Sequence, residues 1–216
     1  MREPMTDWVA WHQPYADPES SLSRRRRVVQ QHVRDWLGAR PTGDGARVVS
    51  ACAGDGRDVL EVLRDTDARD LDVLLVESDA RLAAEAVSFA AGHALGGVAV
   101  RVEDAGTTTA YRDAVPADLV LFCGVFGNVD ADDVLRCVAA LPVLCAPGAT
   151  VLWTRGRDED GGLAAADATR AAFAGAGFAE LAFTAPDDAH FGVGAHRLTV
   201  EPLSWRPGQL LFTFVR

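Results

Sequence analysis

Alternating strand-like and helix-like segments predict an α/β protein. The expected fold is a doubly wound, mostly parallel seven-stranded sheet, with helices on both faces and an antiparallel C-terminal edge. Three observations carry this. Val48 to Leu60 reads as an apolar strand, a small-residue turn and a helix without a break. Asp118 to Cys123, DLVLFC, is the continuous apolar run expected of a strand buried on both faces of a parallel sheet. The last apolar segments follow one another with no helix between them, which implies antiparallel pairing at that end.

The elements follow in order. Residues 1–22 carry Trp8, Trp11 and Tyr15 among prolines and acids, too apolar for a solvated tail, so this arm is expected to lie across the domain. Ser23 reads as a helix cap, followed by Val28, Val29, His32, Val33, Trp36 and Leu37 at helical spacing. Gly38 and Pro41 end that helix. Strands are expected at Val48–Cys52, Leu71–Glu77, Val98–Glu103, Asp118–Cys123 and Ala149–Thr154. Helices are expected at Arg57–Arg64, Asp79–Gly92 (with Asp79 as cap), Asp130–Leu141 and Leu163–Ala174. Phe178–Thr184 and Leu210–Val215 read as the final strands, and His196–Val200 as a short extra one. The division expected is an N-terminal arm and helix over residues 1–46, acting as a lid, and a Rossmann-like domain over 47–216.

Composition narrows the function. The chain has 216 residues, 49% hydrophobic and 24% charged, as in an ordinary globular domain. Its formal net charge of −10 argues against nucleic acid as a partner, because phosphate binding needs a cationic face. The four cysteines, Cys52, Cys123, Cys137 and Cys145, form no CxxC pair and lack histidines at metal-ligand spacing. They read as core residues in a reducing compartment, and no metal is expected. The polar start has no apolar signal core, and no apolar run reaches the ~20 residues needed to cross a bilayer. A cytoplasmic protein with no membrane partner is expected, as a monomer or homodimer.

The turn Cys52-Ala53-Gly54-Asp55-Gly56 places small residues where a strand meets a helix N-terminus. Such turns let backbone approach a ligand closely and aim unpaired N–H groups at it. An acidic strand end, Glu77-Ser78, follows one βαβ unit later. With the third strand's Glu103-Asp104-Ala105 and the fourth strand's Cys123-Gly124-Val125-Phe126-Gly127-Asn128, the pattern resembles the class I S-adenosylmethionine-dependent methyltransferases over roughly residues 25–216. The family's acidic residue and first glycine are replaced here by Ser50 and Cys52, while Gly54 and Gly56 match.

The resemblance implies S-adenosyl-L-methionine as cofactor and S-adenosyl-L-homocysteine as product. Ala51, Cys52, Ala53, Gly54 and Gly56 would pass under the methionine half. Asp58 would accept from its amino group and Arg57 pair with its carboxylate; otherwise both are surface charges at a helix start. Glu77, next to Ser78, would hold the two ribose hydroxyls. Asp104 would accept from the adenine amine and Ala105 offer its N–H; otherwise Asp104 only forms a turn before Gly106. Cys123 and Gly124 would line the sulfonium end. Phe126 would floor the acceptor pocket, and Asn128 either binds substrate or caps the next helix. Trp11 and Tyr15 would cover a small organic acceptor. His12 and His190 are candidate bases for a hydroxyl acceptor, since imidazole titrates near neutrality; His196, opening a strand, reads as structural. The run Arg24-Arg25-Arg26-Arg27 reads first as a solvated face; otherwise an acidic neighbouring face, the cofactor carboxylate or an anionic substrate offsets its opposition to the helix dipole.

The segments Tyr15-x-x-Pro-x-Ser20, Phe191 to Arg197 and Leu211 to Phe214 resemble, more closely, a little-characterised group of bacterial methyltransferases with no settled acceptor. Two other readings stand beside methyl transfer. A non-catalytic cofactor-binding or partner-binding protein of this fold is favoured by Ser50 and Cys52. A nicotinamide-dependent reductase is disfavoured, because Val59 stands at the third glycine's place and no Tyr-x-x-x-Lys pair occurs.

Overall fold

The computed structural model describes residues 13–40, 45–66, 70–158 and 160–214. A 3₁₀ turn, Gln13–Ala16, leads into helix α1 (Ser21–Gly38). Its cap is Ser20, not Ser23: the Ser20 hydroxyl accepts from the Ser23 N–H at 3.1 Å. Ser23 lies in the first turn, buried, and donates to the Tyr15 carbonyl at 3.3 Å.

The chain then alternates: β1 (Ala46–Ala51), α2 (Arg57–Asp65), β2 (Leu71–Glu77), α3 (Ala80–Gly92) and β3 (Val98–Val102). It continues through β4 (Ala117–Phe122), α4 (Ala131–Ala140), β5 (Cys145–Gly156) and α5 (Ala164–Gly175). The strands β6 (Phe178–Thr184) and β7 (Phe191–Leu198) follow. Asp79 caps α3 by accepting from the Arg81 N–H at 2.8 Å. Asp130 caps α4, so Asn128 does not.

The sheet order is β3-β2-β1-β4-β5-β7-β6. All pairs are parallel except those of β7, which runs antiparallel between β5 and β6. Alternate residues of the central strands enter opposite cores. Val48, Val73, Leu75, Leu119 and Leu121 meet α1, α2 and α3 on one face. Val49, Leu74, Val76, Val120 and Phe122 meet α4 and α5 on the other. The sequence winds outward from β1 to β3, then restarts at β4 on the far side of β1. A crevice therefore opens between the carboxyl ends of β1 and β4.

The seventh strand is Phe191–Leu198, not the expected Leu210–Val215, and it extends well before the short strand expected at His196–Val200. Its Gly192 and Gly194 conceal it from strand propensity. Both glycines are needed for packing. A Cβ on Gly194 would enter the indole of Trp153, and one on Gly192 would reach 3.0 Å from the Phe183 ring. The described part of 210–215 instead contributes only an isolated bridge, Thr107 to Leu210. No helix among the described residues is long and apolar enough to cross a membrane.

Behind β5 and β7 lies an aromatic cluster. Trp153 stacks between Phe173 at 5.8 Å and Phe183 at 5.9 Å, and His196 stacks on Phe173 at 4.5 Å. Trp153 Nε1 donates to His196 Nδ1 at 3.1 Å, so the proton of the neutral ring sits on Nε2. Burial drives the His196 pKa down to about 4, against the pull of Glu180 3.6 Å away; Glu180 is itself paired with Arg170.

Two outcomes follow from this cluster. Gly194→Ala should lower the unfolding free energy by about 1–3 kcal/mol, read by urea titration, because the fully buried indole has no free space to move into. The native protein keeps His196 neutral where the unfolded chain, titrating near 6.5, takes up a proton. Stability should therefore be full above pH 6.5 and fall as pH drops toward 4. Parallel titrations of His196→Gln should show a shallower fall across that window.

Candidate functional site

The crevice at the switch point is lined by Tyr15, Arg25, Cys52, Ala53, Asp55, Arg57, Asp58, Glu77, Ser78, Leu82, Cys123, Gly124 and Phe214. It opens to solvent, and the space among these residues, its open mouth included, is about 630 Å³.

Its floor is the turn after β1. Cys52, Gly54 and Gly56 have φ of 50°, 59° and 74°, so the left-handed conformation recurs at every second residue. This backbone requirement explains the Gly-x-Gly-x-Gly pattern, and Cys52 occupies the one position of the three where a side chain bears the strain. The turn is laced to β2: Ala53 N–H donates to the Val76 carbonyl at 3.0 Å, and Gly54 N–H to Glu77 Oε2 at 2.8 Å. Glu77 Oε1 accepts from the Asp79 N–H at 2.8 Å. The carboxylate thus spans the turns after β1 and after β2, and each oxygen retains a second lone pair. Gly56 has a packing role as well, since a Cβ there would meet Leu75 Cδ1 at 2.6 Å.

Tyr15 and Arg25 form the opposite wall. Arg25 Nη2 donates to the Tyr15 hydroxyl at 2.7 Å. The Tyr15 ring lies beneath two guanidinium groups, Arg57 at 4.8 Å and Arg26 at 5.3 Å from its centroid. Burial, reinforced by the negative charge of Asp58, raises the Tyr15 pKa to about 12, so its hydroxyl stays protonated. Burial opposes the Arg25 charge, but Tyr15 and Asp58 outweigh it and raise its pKa. Arg57 turns back to Asp55, with Nε donating to Oδ1 at 2.6 Å. Burial also raises the pKa of the Cys52 and Cys123 thiols well above the usual thiol range, which keeps both from acting as thiolate nucleophiles.

The third wall is the segment after β4. Gly124, with φ 77°, donates its N–H to Thr154 Oγ1 at 2.8 Å, and a Cβ there would meet open space. Asn128 Nδ2 donates to the Gly124 carbonyl at 2.7 Å, and Arg155 Nη1 to the Phe126 carbonyl at 2.9 Å.

Of the residues singled out in the sequence, Tyr15, Cys52, Ala53, Asp58, Glu77, Ser78, Cys123 and Gly124 meet at this crevice. Ala51 is buried at the end of β1, and Gly54 and Gly56 contribute turn geometry beneath the lining. Asp104 lies beside the crevice, its Oδ1 accepting from the Gly106 N–H at 2.8 Å as a turn former. Ala105 is buried and its carbonyl accepts from the Tyr111 hydroxyl. Phe126 is not a pocket floor: its ring is fully buried between Phe122, Trp153 and Phe173. Asn128 shapes its own loop. His190 is exposed, away from the crevice, its N–H donating to Ser21 Oγ at 3.2 Å. Trp8, Trp11 and His12 lie outside the described residues.

The arginine run is a solvated face only in part: Arg27 stays exposed, whereas Arg25 turns inward. Arg24 bonds Asp188 at 2.7 Å, Arg25 enters the crevice, Arg26 approaches Glu61 at 3.8 Å, and Arg27 donates to the Pro18 carbonyl at 2.6 Å. The signal was in the spacing: consecutive helical residues point ~100° apart, so four in a row cannot share one side. Leu82 also lines the crevice, as do Asp55, from the turn after β1, and Phe214, to neither of which the sequence assigns a binding role.

No family model and no curated protein matches the chain. Solved structures do. A possible exported protein of Bordetella parapertussis matches with TM-score 0.66 at 17% identity, over 83% of this chain and 68% of that one. Magnesium protoporphyrin IX methyltransferase from Synechocystis PCC 6803, crystallised with bound SAM, matches with TM-score 0.65 at 14% identity, over 89% and 91%. The CurJ carbon methyltransferase matches with TM-score 0.66 at 12% identity, over 90% and 59%. The strand order with its single antiparallel insertion is the same arrangement that these methyltransferases share, and the chain therefore has the class I methyltransferase fold.

Proposed function

We propose that the protein binds S-adenosylmethionine in the β1–β4 crevice and transfers its methyl group to a small organic acceptor, releasing S-adenosylhomocysteine. The observation that carries this is Glu77. Its carboxylate is fixed at the carboxyl end of β2 by Gly54 and Asp79 N–H groups, with one lone pair on each oxygen left for a pair of ribose hydroxyls.

The remaining lining fits the rest of such a ligand. Asp58 and Arg25 bring opposite charges to the wall nearest Tyr15, matching an ammonium and a carboxylate. The left-handed turn at Cys52 and Gly54 brings backbone against the ligand without bulk beyond one thiol. Cys123 lines the crevice, and beside it a Cβ on Gly124 would meet open space, which leaves room on the acceptor side. The sulfonium supplies an already electrophilic methyl group. What is asked of the chain is alignment of the acceptor in line and exclusion of water. The 3₁₀ turn and α1, within residues 1–46, serve as the lid, with Tyr15 closing the crevice. The protein acts as a monomer or homodimer on a small molecule and not on nucleic acid, the latter in keeping with the net charge of −10.

Calorimetric titration with S-adenosylmethionine and S-adenosylhomocysteine tests the cofactor. Micromolar binding is expected, and Glu77→Ala should weaken it roughly 10- to 100-fold, the loss typical of hydrogen bonds to a charged group. Asp58→Asn should weaken S-adenosylhomocysteine roughly tenfold yet leave 5′-methylthioadenosine, which lacks the amino-acid end, unchanged. Absence of heat with every ligand would overturn the reading and favour a partner-binding protein of this fold.

A further inference from the structure

After β7 the chain does not stop at the sheet edge. Residues 199–214 run back across the sheet's α4 face toward the crevice. Leu203 N–H donates to the Pro142 carbonyl at 3.2 Å. Trp205 Nε1 then reaches the Thr108 carbonyl at 3.2 Å, and Gln209 N–H reaches Thr108 Oγ1 at 3.0 Å. Thr108 N–H returns a bond to the Gln209 carbonyl at 2.9 Å, and Leu211 N–H donates to the Gly106 carbonyl at 2.7 Å. Gly106 has no room for a Cβ, because the Phe212 carbonyl occupies that space. The strap and the loop after β3, which carries Asp104 and Ala105, are therefore packed backbone to backbone.

The described part of the strap reaches the site. Phe212 is buried edge-on against Phe122 at 6.0 Å. Thr213 N–H donates to Asp133 Oδ2 at 3.0 Å, and this anchors the residue before Phe214. The Phe214 ring, 5.3 Å from Phe212, then lines the crevice. It packs on the sheet face that holds Ala105, with Cys52 beside it, whereas Arg25 and Asp58 enter from the α1 and α2 side. The apolar and charged walls of the crevice are thus contributed by opposite faces of the sheet.

We propose that the C-terminal strap is part of the binding site and that Phe214 is the apolar wall for the nucleoside half of the bound ligand. This rests on the cofactor reading above and adds to it the half of the ligand that the strap recognises. An aromatic face suits a purine ring or the ribose edge, and stacking of this kind is indifferent to the charge at the ligand's other end.

The test compares S-adenosylhomocysteine and 5′-methylthioadenosine by calorimetry on the full chain, with thermal unfolding as the fold control. Phe214→Ala should weaken both ligands by the same factor, about tenfold or more, with unfolding close to the parent. A chain lacking residues 214–216, which keeps Leu211 and Phe212 in the core, should behave the same way. Unchanged affinity in both variants, with the parent binding, overturns this inference alone. A loss confined to S-adenosylhomocysteine would place Phe214 on the amino-acid half and likewise overturn it. A parent that binds neither ligand overturns the cofactor reading itself.

Discussion

Glu77 holds together the two turns that border the crevice. One oxygen takes the N–H of Gly54 from the turn after β1, the other the N–H of Asp79 from the turn after β2. Both donors belong to backbone that has left its strand and has no ladder partner, and a buried N–H without a partner is costly. A single carboxylate satisfies both and fixes the spacing of the two strand ends. The left-handed residues Cys52, Gly54 and Gly56 then follow from the path the chain must take between β1 and α2. The crevice is a consequence of topology, and the spacing of its two bordering turns a consequence of that one buried carboxylate.

The opposite wall is assembled from charges that find partners on neighbouring elements. Arg24, Arg25, Arg26 and Arg27 tie α1 to the β6–β7 loop, the crevice, α2 and the segment before α1 respectively. Arg57 and Arg26 contact Tyr15 through its ring while Arg25 holds its hydroxyl. Cations at a helix N-terminus oppose its dipole. Here the cost is offset in part by Asp188, Asp58, Glu61 and the aromatic face.

On the far side of the sheet, the aromatic cluster explains why the seventh strand is rich in glycine. Trp153 projects from β5 over β7, and only residues without a side chain fit beneath it at Gly194. With β7 filled by Phe191–Leu198, the later apolar stretch Leu211 to Phe214 finds the sheet edge already occupied. It packs instead on α4 and on the loop after β3, using side-chain and carbonyl acceptors in place of a ladder.

The local pattern of the chain determined the alternation of strands and helices, the parallel core, the Asp79 cap and the strand-to-helix turn, because these rest on hydrophobic period and on residues that tolerate one backbone geometry. It also placed Glu77 at a strand end, Cys52 and Gly124 in turns and Asp58 at a helix start, positions from which they can face one crevice. Tertiary structure decided the rest. Whether Phe126 faced a pocket or the core depended on Trp153 and Phe173, far away in sequence. Whether Asn128 capped a helix depended on Asp130 taking that place first. The inward turn of Arg25 was set by its partners Tyr15 and Asp58, and the path of Phe214 by Gly106, Thr108 and Asp133. Periodicity reports which face of an element is apolar. Which distant element covers that face is fixed only when the chain closes on itself.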